Sequence, residues 1–248
     1  MPGPLGVKLT AAFVIAQIIF LFSGASFAPL ISAIVLPVMI GTDSWSYVIS
    51  AAGMTLLVIA FHALLVKSGT RGEEALSARS LPDKGAAKRL LFRTAFFALM
   101  LIPALNLNSV FIAAPPLLVA FTEWTESGAQ GRPHIRVKKA ALLAACAAIG
   151  AGSRLLLSVG LGLPTAVSAA AAAALALAVM ISLDMFVPPA GALMMLAMLV
   201  PESALALYPV EAGIGAFVFC LAAAGADRVM ERGAVRTGAP QTDSRESA

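Results

Sequence analysis

From residue 9 to residue 226 the chain is a succession of apolar runs, divided by polar or proline-bearing breaks that are short except for the basic stretch 67–93. That pattern constrains the fold more than any single motif does. Of 248 residues, 60% are hydrophobic and 12% charged, whereas a soluble domain carries about 25% charge. A chain of this size leaves a large surface facing its surroundings, and too few polar groups are present to cover it. The composition excludes a water-soluble enzyme, a nucleic-acid binder and a secreted disulfide scaffold. It predicts an all-α, polytopic transmembrane protein.

The apolar runs fall at 9–23, 27–41, 46–66, 94–106, 108–122, 140–160, 165–182, 188–201 and 209–226, about nine segments. A spanning helix needs about 20 residues at 1.5 Å rise each. Segments 46–66 and 140–160 reach that length, and several others fall short. Short runs are expected as shortened spans inside the protein, as re-entrant halves, or as two pieces of one bent helix. Broken backbone at membrane depth is tolerated only where protein or water surrounds it.

Charge orders these segments. Of the 17 Lys and Arg residues, 15 lie in the stretches 67–93, 132–139 and 228–245, leaving Lys8 and Arg154 outside them. Short basic loops remain cytoplasmic. Nine crossings from an outside N-terminus place all three basic stretches inside, and the basic-free connections at 42–45, 106–108, 161–164 and 202–208 outside. The net charge of +4 then reports orientation and attraction to anionic lipid headgroups. The lipid bilayer is the expected partner, and nucleic acid is not. The alanine-rich composition suggests a bacterial inner membrane, with the C-terminus cytoplasmic. A competing reading of the start treats Lys8, the run Ala11–Phe22 and Ser26-Phe27-Ala28 as a cleaved signal peptide. Four regions are expected: a three-segment unit at 1–66, a basic cytoplasmic loop at 67–93, a membrane domain at 94–230, and a polar tail at 231–248 whose composition is that of disordered chain.

The segments also group in threes. Leu9-Thr10-Ala11-Ala12-Phe13 opens one group and Arg93-Thr94-Ala95-Phe96-Phe97 another. Each is followed by a short run that starts at proline, at Pro29 and at Pro115-Pro116, and Pro188-Pro189 starts a third. Proline suits the first turn of a helix, where its missing N–H costs nothing. Repeats of three crossings alternate in orientation, an arrangement used by many transporters. Chance self-similarity of alanine-rich sequence is the competing explanation.

The stretch Ala172–Met180 leading into Phe186-Val187-Pro188-Pro189-Ala190-Gly191-Ala192-Leu193 resembles the HPP family of integral membrane proteins, named for a His-Pro-Pro motif at this point. Gly131-Arg132-Pro133 and the stretch from Tyr208-Pro209-Val210 to Asp227-Arg228 are similar to that family too, so the resemblance covers roughly residues 106–230. Val187 stands where the motif histidine would be, and any role of that imidazole is unsupported here. The resemblance implies a multi-helix membrane domain, with nitrite transport known for plastid members. A more distant likeness is to the fusaric-acid-resistance and aromatic-acid-exporter family. Both imply transport of small anions.

Ionisable groups inside a bilayer are costly and therefore functional candidates. Arg154 is the foremost, about 10 Å from the outer end of its helix. Its guanidinium suits bidentate binding of an anion, with snorkelling to outer headgroups, or neutralisation by Glu202 and Glu211, as the alternatives. Pro188, Pro189 and Gly191 would supply the broken-helix geometry of a substrate site. Asp184 is the candidate for proton coupling, the alternative being a cap on the N–H groups after Pro188. His62 reads as a solvated interfacial side chain, Trp45 and Trp124 as interface anchors, Met194, Met195 and Met198 as packing, and Cys146 and Cys220 as buried thiols. No catalytic signature, metal set or nucleotide motif is present, so no cofactor is expected and ATP-driven transport would need a partner. The expected function is a non-enzymatic secondary transporter or channel for a small, anionic solute, with a homo-oligomer as a further expectation. The alternative is a non-transporting membrane scaffold or assembly protein.

Overall fold

The computed structural model describes residues 4–22, 29–42, 44–70, 85–126 and 133–236, without the side chains of residue 133 and residues 229–236. The Ser26-Phe27-Ala28 cleavage signal, most of the basic loop and the end of the polar tail lie outside them. The described residues form helices α1 (Pro4–Phe22), α2 (Pro29–Ile40), α3 (Trp45–Lys67), α4 (Ala86–Asn106), α5 (Pro115–Glu126), α6 (Pro133–Ser153), α7 (Thr165–Ser182), α8 (Pro188–Leu196), α9 (Glu202–Leu205) and α10 (Tyr208–Arg236). A 3-10 turn, Val110–Ala113, precedes α5, and a π-helical stretch, Arg154–Gly160, continues α6. Six of these helices are long and apolar enough to cross a membrane, and the protein is an all-α membrane protein.

Each of the nine apolar runs corresponds to a helix, and the lengths separate into two classes. α4 begins at Ala86, well before the apolar run at 94, because Lys88, Arg89 and Arg93 continue the helix. What remains short are α2, α5 and α8, at 12, 12 and 9 residues. All three start at proline, and each stands between two long helices in the chain, with the four-residue α9 intervening between α8 and α10. They also pack in a row, α2 on α5 and α5 on α8. α5 is buried on every side, including Pro115, Leu118, Phe121, Thr122 and Trp124. A helix of 12 residues is about 18 Å long, less than the hydrocarbon thickness, and is viable because neighbouring helices cover it.

Most long helices show one buried face. In α1 it is Leu9, Ala12, Phe13, Ala16, Gln17 and Phe20, a 3.6-residue stripe. α6 and α10 pack on each other, and small residues meet there: a Cβ on Gly213 would stand 3.4 Å from the Ala144 Cβ, a close approach that matters where lipid supplies no hydrophobic drive. Two glycines fix the tightest approaches. A Cβ on Gly150 of α6 would stand 2.3 Å from the Met194 carbonyl oxygen of α8, and one on Gly215 of α10 would stand 2.1 Å from that of Ile112.

Hydrogen bonds fix the relative directions. The end of α1 and the end of α5 meet the start of α4 through Gln17, Thr125 and Arg93. The start of α6 meets the end of α5 and the late part of α10 through Arg136, Trp124 and Asp227. At the opposite end, Glu211 near the start of α10 accepts from the Phe111 N–H. These bonds bring the ends of α1, α5 and α10 and the starts of α4 and α6 to one end of the bundle, and the start of α10 and the 110–113 turn to the other.

Four helices stop in the same way. Gly41, Gly69, Asn108 and Asp184 take positive φ, and the next N–H reaches back across the turn, as in Ser109 to the Ala104 carbonyl and Met185 to the Met180 carbonyl. This is the Schellman arrangement, in which a left-handed residue lets the last carbonyls find donors.

Candidate functional site

The most deeply buried charge with described partners belongs to Arg93, at 2% exposure. It lies seven residues into α4, about 10 Å along the helix, in phase with the buried Phe97, Leu101 and Ala104. Its Nε donates to Thr125 Oγ1 at 2.6 Å, Nη1 to Gln17 Oε1 at 3.1 Å, and Nη2 to the Thr122 carbonyl at 3.3 Å and to Glu126 Oε1 at 2.9 Å. Gln17 Nε2 in turn donates to Thr122 Oγ1 at 2.9 Å. Glu126 holds its other oxygen 3.5 Å from Arg89 Nε. The site joins α1, α4 and the short α5. Desolvating a guanidinium costs several kcal/mol unless its donors are satisfied, and here they are met by neutral oxygens and one carboxylate at the rim.

Directly beside this polar set, aromatic rings fill the bundle. Phe121 lies 5.5 Å from Phe96 and 5.1 Å from Phe219 between ring centroids, and Phe13 lies 4.7 Å from Phe97. The rings keep water from the inner face of the Arg93 cluster, which strengthens each charge-assisted bond within it. Gln17 Oε1 and Thr125 Oγ1 accept from this fork, while the Gln17 amide N–H and the Thr125 hydroxyl donate to Thr122 Oγ1 and to the Phe121 or Thr122 carbonyl. The planar guanidinium itself has the donor shape that suits a carboxylate-like oxyanion.

A second buried arginine ties the bundle together at the same end. Arg136 of α6 pairs with Asp227 of α10 and donates to the Trp124 carbonyl at 3.2 Å. Counting Arg93 and Arg136 among the cations of polar loops overlooked both. Helical phase carries the missed signal: Arg136 precedes the buried Ala140, Leu143 and Ala147 by whole turns, as Arg93 precedes Phe97.

Arg154 is half-buried where α6 passes into its π-helical stretch, a distortion frequent at functional positions. Its Nη1 donates to the Ala197 carbonyl at 2.8 Å and to the Val200 carbonyl. It thus closes the carbonyl end of α8, while Pro188 and Pro189 stand at the other end of that helix, about 12–13 Å away along its axis, and Gly191 about 9 Å away. The four residues are not brought into one site. Its Nε and Nη2 make no hydrogen bond among the described residues. Glu202 is exposed, and Glu211 is engaged with Phe111, so neither neutralises Arg154.

Asp184 does not cap α8. Its left-handed backbone (φ 49°) ends α7 instead, and its exposed carboxylate takes no hydrogen bond among the described residues. It faces an open cavity of about 490 Å³ that it shares with His134, Lys138, Lys139 and Phe186. Trp124 is buried in the core rather than anchored at an interface, whereas Trp45 is 76% exposed. Met194 is buried and Met195 exposed, His62 is exposed, and both cysteines are buried. Comparison with family models, with curated proteins and with solved structures gives no match to this chain.

Proposed function

We propose that this membrane protein is a secondary transporter or channel for a small anion, with the Arg93 cluster as its inner binding station. The observation that carries this reading is a guanidinium buried at the junction of α1, α4 and the short α5, held largely by neutral hydrogen-bonding groups. Ionisable groups at such depth mark solute pathways in membrane proteins. Glu126 occupies the position an anionic solute would take: its carboxylate binds Nη2 of Arg93, and an incoming oxyanion would displace it from the fork. Arg154 is the outer station, offering Nε and Nη2. The row of short, proline-started helices supports an alternating-access architecture, as do the HPP-like residues from Phe186 to Leu193.

The basic starts of α4 and α6 and Arg228 of α10 gather at one end of the bundle, which by the positive-inside tendency faces the cytoplasm of an inner membrane. No bond-making chemistry enters this reading, and Asp184, beside Lys138 and Lys139, is the group for proton coupling. A non-transporting scaffold is the second reading, favoured by the aromatic packing between α4, α5 and α10.

Flux through proteoliposomes, measured against a panel of small anions such as nitrite, formate and chloride, tests the proposal. Wild-type protein should exceed protein-free vesicles for at least one anion. Arg93→Gln should lower that flux at least tenfold, and Arg93→Lys, which keeps the charge without the fork, should raise KM while the protein stays folded. Unchanged uptake in both variants would remove Arg93 from the pathway, and no flux for any anion would favour the scaffold.

A further inference from the structure

The basic start of α6 has two faces. Arg136, one turn before the buried Ala140, is turned into the bundle, where it pairs with Asp227. His134 and Lys138, four residues apart, and Ile135 and Lys139, spaced alike, lie on another side of the helix. His134, Ile135 and Lys138 are exposed and Lys139 is half-buried. Lys139 also stands near the Glu123 carboxylate of α5, whereas Lys138 makes no ion pair among the described residues.

Opposite that second face stands the connection from α7 to α8. Backbone bonds fix its course, from the Asp184 N–H to the Ile181 carbonyl at 3.1 Å and from the Met185 N–H to the Met180 carbonyl at 3.0 Å. Val187, which is buried, anchors it to the core. The open cavity of about 490 Å³ lies between these two walls, with Leu183, Asp184 and Phe186 facing His134, Ile135 and the two lysines. Both walls are therefore held in place by the fold itself.

A second cavity, of about 380 Å³, adjoins the first. Asp184, Met185 and Phe186 line both, and Leu177, Met180 and Ile181 of α7 complete the second. Leu177 and Ile181 are exposed on a helix long and apolar enough to cross a membrane, so this chamber opens toward acyl chains. Leu177 lies about 10 Å deeper along α7 than Asp184. Phe186, 77% exposed, stands where the two chambers meet.

A ligand that fills both chambers is anionic at one end and aliphatic at the other. Basic pockets between spanning helices recognise anionic lipid headgroups in this way. Asp184 narrows the choice further. Its carboxylate repels a bare phosphate but accepts hydrogen bonds from hydroxyl groups. A phosphodiester whose headgroup also carries hydroxyls suits both signs of charge, its phosphate taking charge-assisted bonds from the ammonium groups.

We propose that the adjoining cavities between the start of α6 and the α7–α8 connection bind an anionic phospholipid with a hydroxylated headgroup, of the phosphatidylglycerol kind. Lys138 and Lys139 hold the phosphate, Asp184 takes the headgroup hydroxyls, and one acyl chain lies along Leu177 and Ile181. The assignment is independent of which solute the protein carries, and its test reads lipid retention rather than flux.

Full-length protein in a neutral detergent, titrated with phosphatidylglycerol and followed by native mass spectrometry, should retain one such lipid per chain. Phosphatidylcholine with the same acyl chains should bind at least tenfold more weakly. Lys138→Gln should raise the Kd for phosphatidylglycerol at least tenfold, while Lys67→Gln, which removes an equal charge at the end of α3, should leave it unchanged. Phosphatidylglycerol with a photoactivatable diazirine in its acyl chain should label α7 between Leu177 and Ile181. Asp184→Asn, which suits the left-handed backbone, should erase the preference for phosphatidylglycerol over phosphatidic acid. Equal weakening by Lys67→Gln and Lys138→Gln would reduce the binding to the general attraction of a basic surface and overturn the site. Labelling only away from α7 would overturn it too. Inorganic phosphate binding in competition with the lipid, and as tightly, would overturn the lipid assignment in favour of a soluble anion.

Discussion

At the scale of single residues, the buried arginines and Asp184 show how position changes the meaning of a charge. Arg93 and Arg154 are chemically alike, but one is enclosed by side chains of three helices and the other bonds to the Ala197 and Val200 carbonyls just past the end of α8. Removing a buried charge strands its partners, so Arg93→Leu should cost about 3–5 kcal/mol, read as a large fall in melting temperature in detergent. Asp184 combines a backbone role with a free carboxylate, and two substitutions separate them. Asp184→Gly keeps the left-handed turn and removes the charge, so stability should hold or rise slightly. Asp184→Val must adopt the same φ with a branched side chain and should lose about 1–2 kcal/mol. If the carboxylate couples protons, Asp184→Gly also abolishes the pH-gradient dependence of flux. Unaltered dependence would leave Asp184 as a turn residue.

Among the elements, the short helices and the glycines that pack on them decide the architecture. α5 is viable at 12 residues because its ends and flanks are covered, and Gly215 is what allows α10 to cover the α5 end. Gly215→Leu should therefore destabilise by about 1–3 kcal/mol through overpacking. α3 has no buried residue and a Cβ on its Gly53 would meet no atom within 4 Å, so the same change there should leave the melting temperature unmoved. Equal losses at the two positions would mean that α3 packs within its own chain. The sequence announced the short helices through Pro29, Pro115-Pro116 and Pro188-Pro189, since proline marks a helix start by local chemistry. It did not announce that α4 would run back to Ala86, because helix continuation through Lys88, Arg89 and Arg93 depends on what those side chains meet.

For the molecule as a whole, the antiparallel order places Lys138 and Glu202 at opposite ends. A Lys138→Cys variant should react with a membrane-impermeant maleimide only after cells are permeabilised, and Glu202→Cys should react in intact cells. The reverse result would invert the orientation and move the inner anion station outside. Membrane residence, helical class and the approximate number of apolar segments were legible in the sequence, because they follow from apolar run length, a local property of the chain. Tertiary structure alone decided which cations are buried, that Arg154 serves α8 instead of joining Pro188 and Pro189, that Trp124 lies in the core, and that α3 stands apart. Those outcomes depend on which helix faces which, and residues as distant in sequence as Gln17 and Thr122 or Arg136 and Asp227 carry no local mark of their meeting.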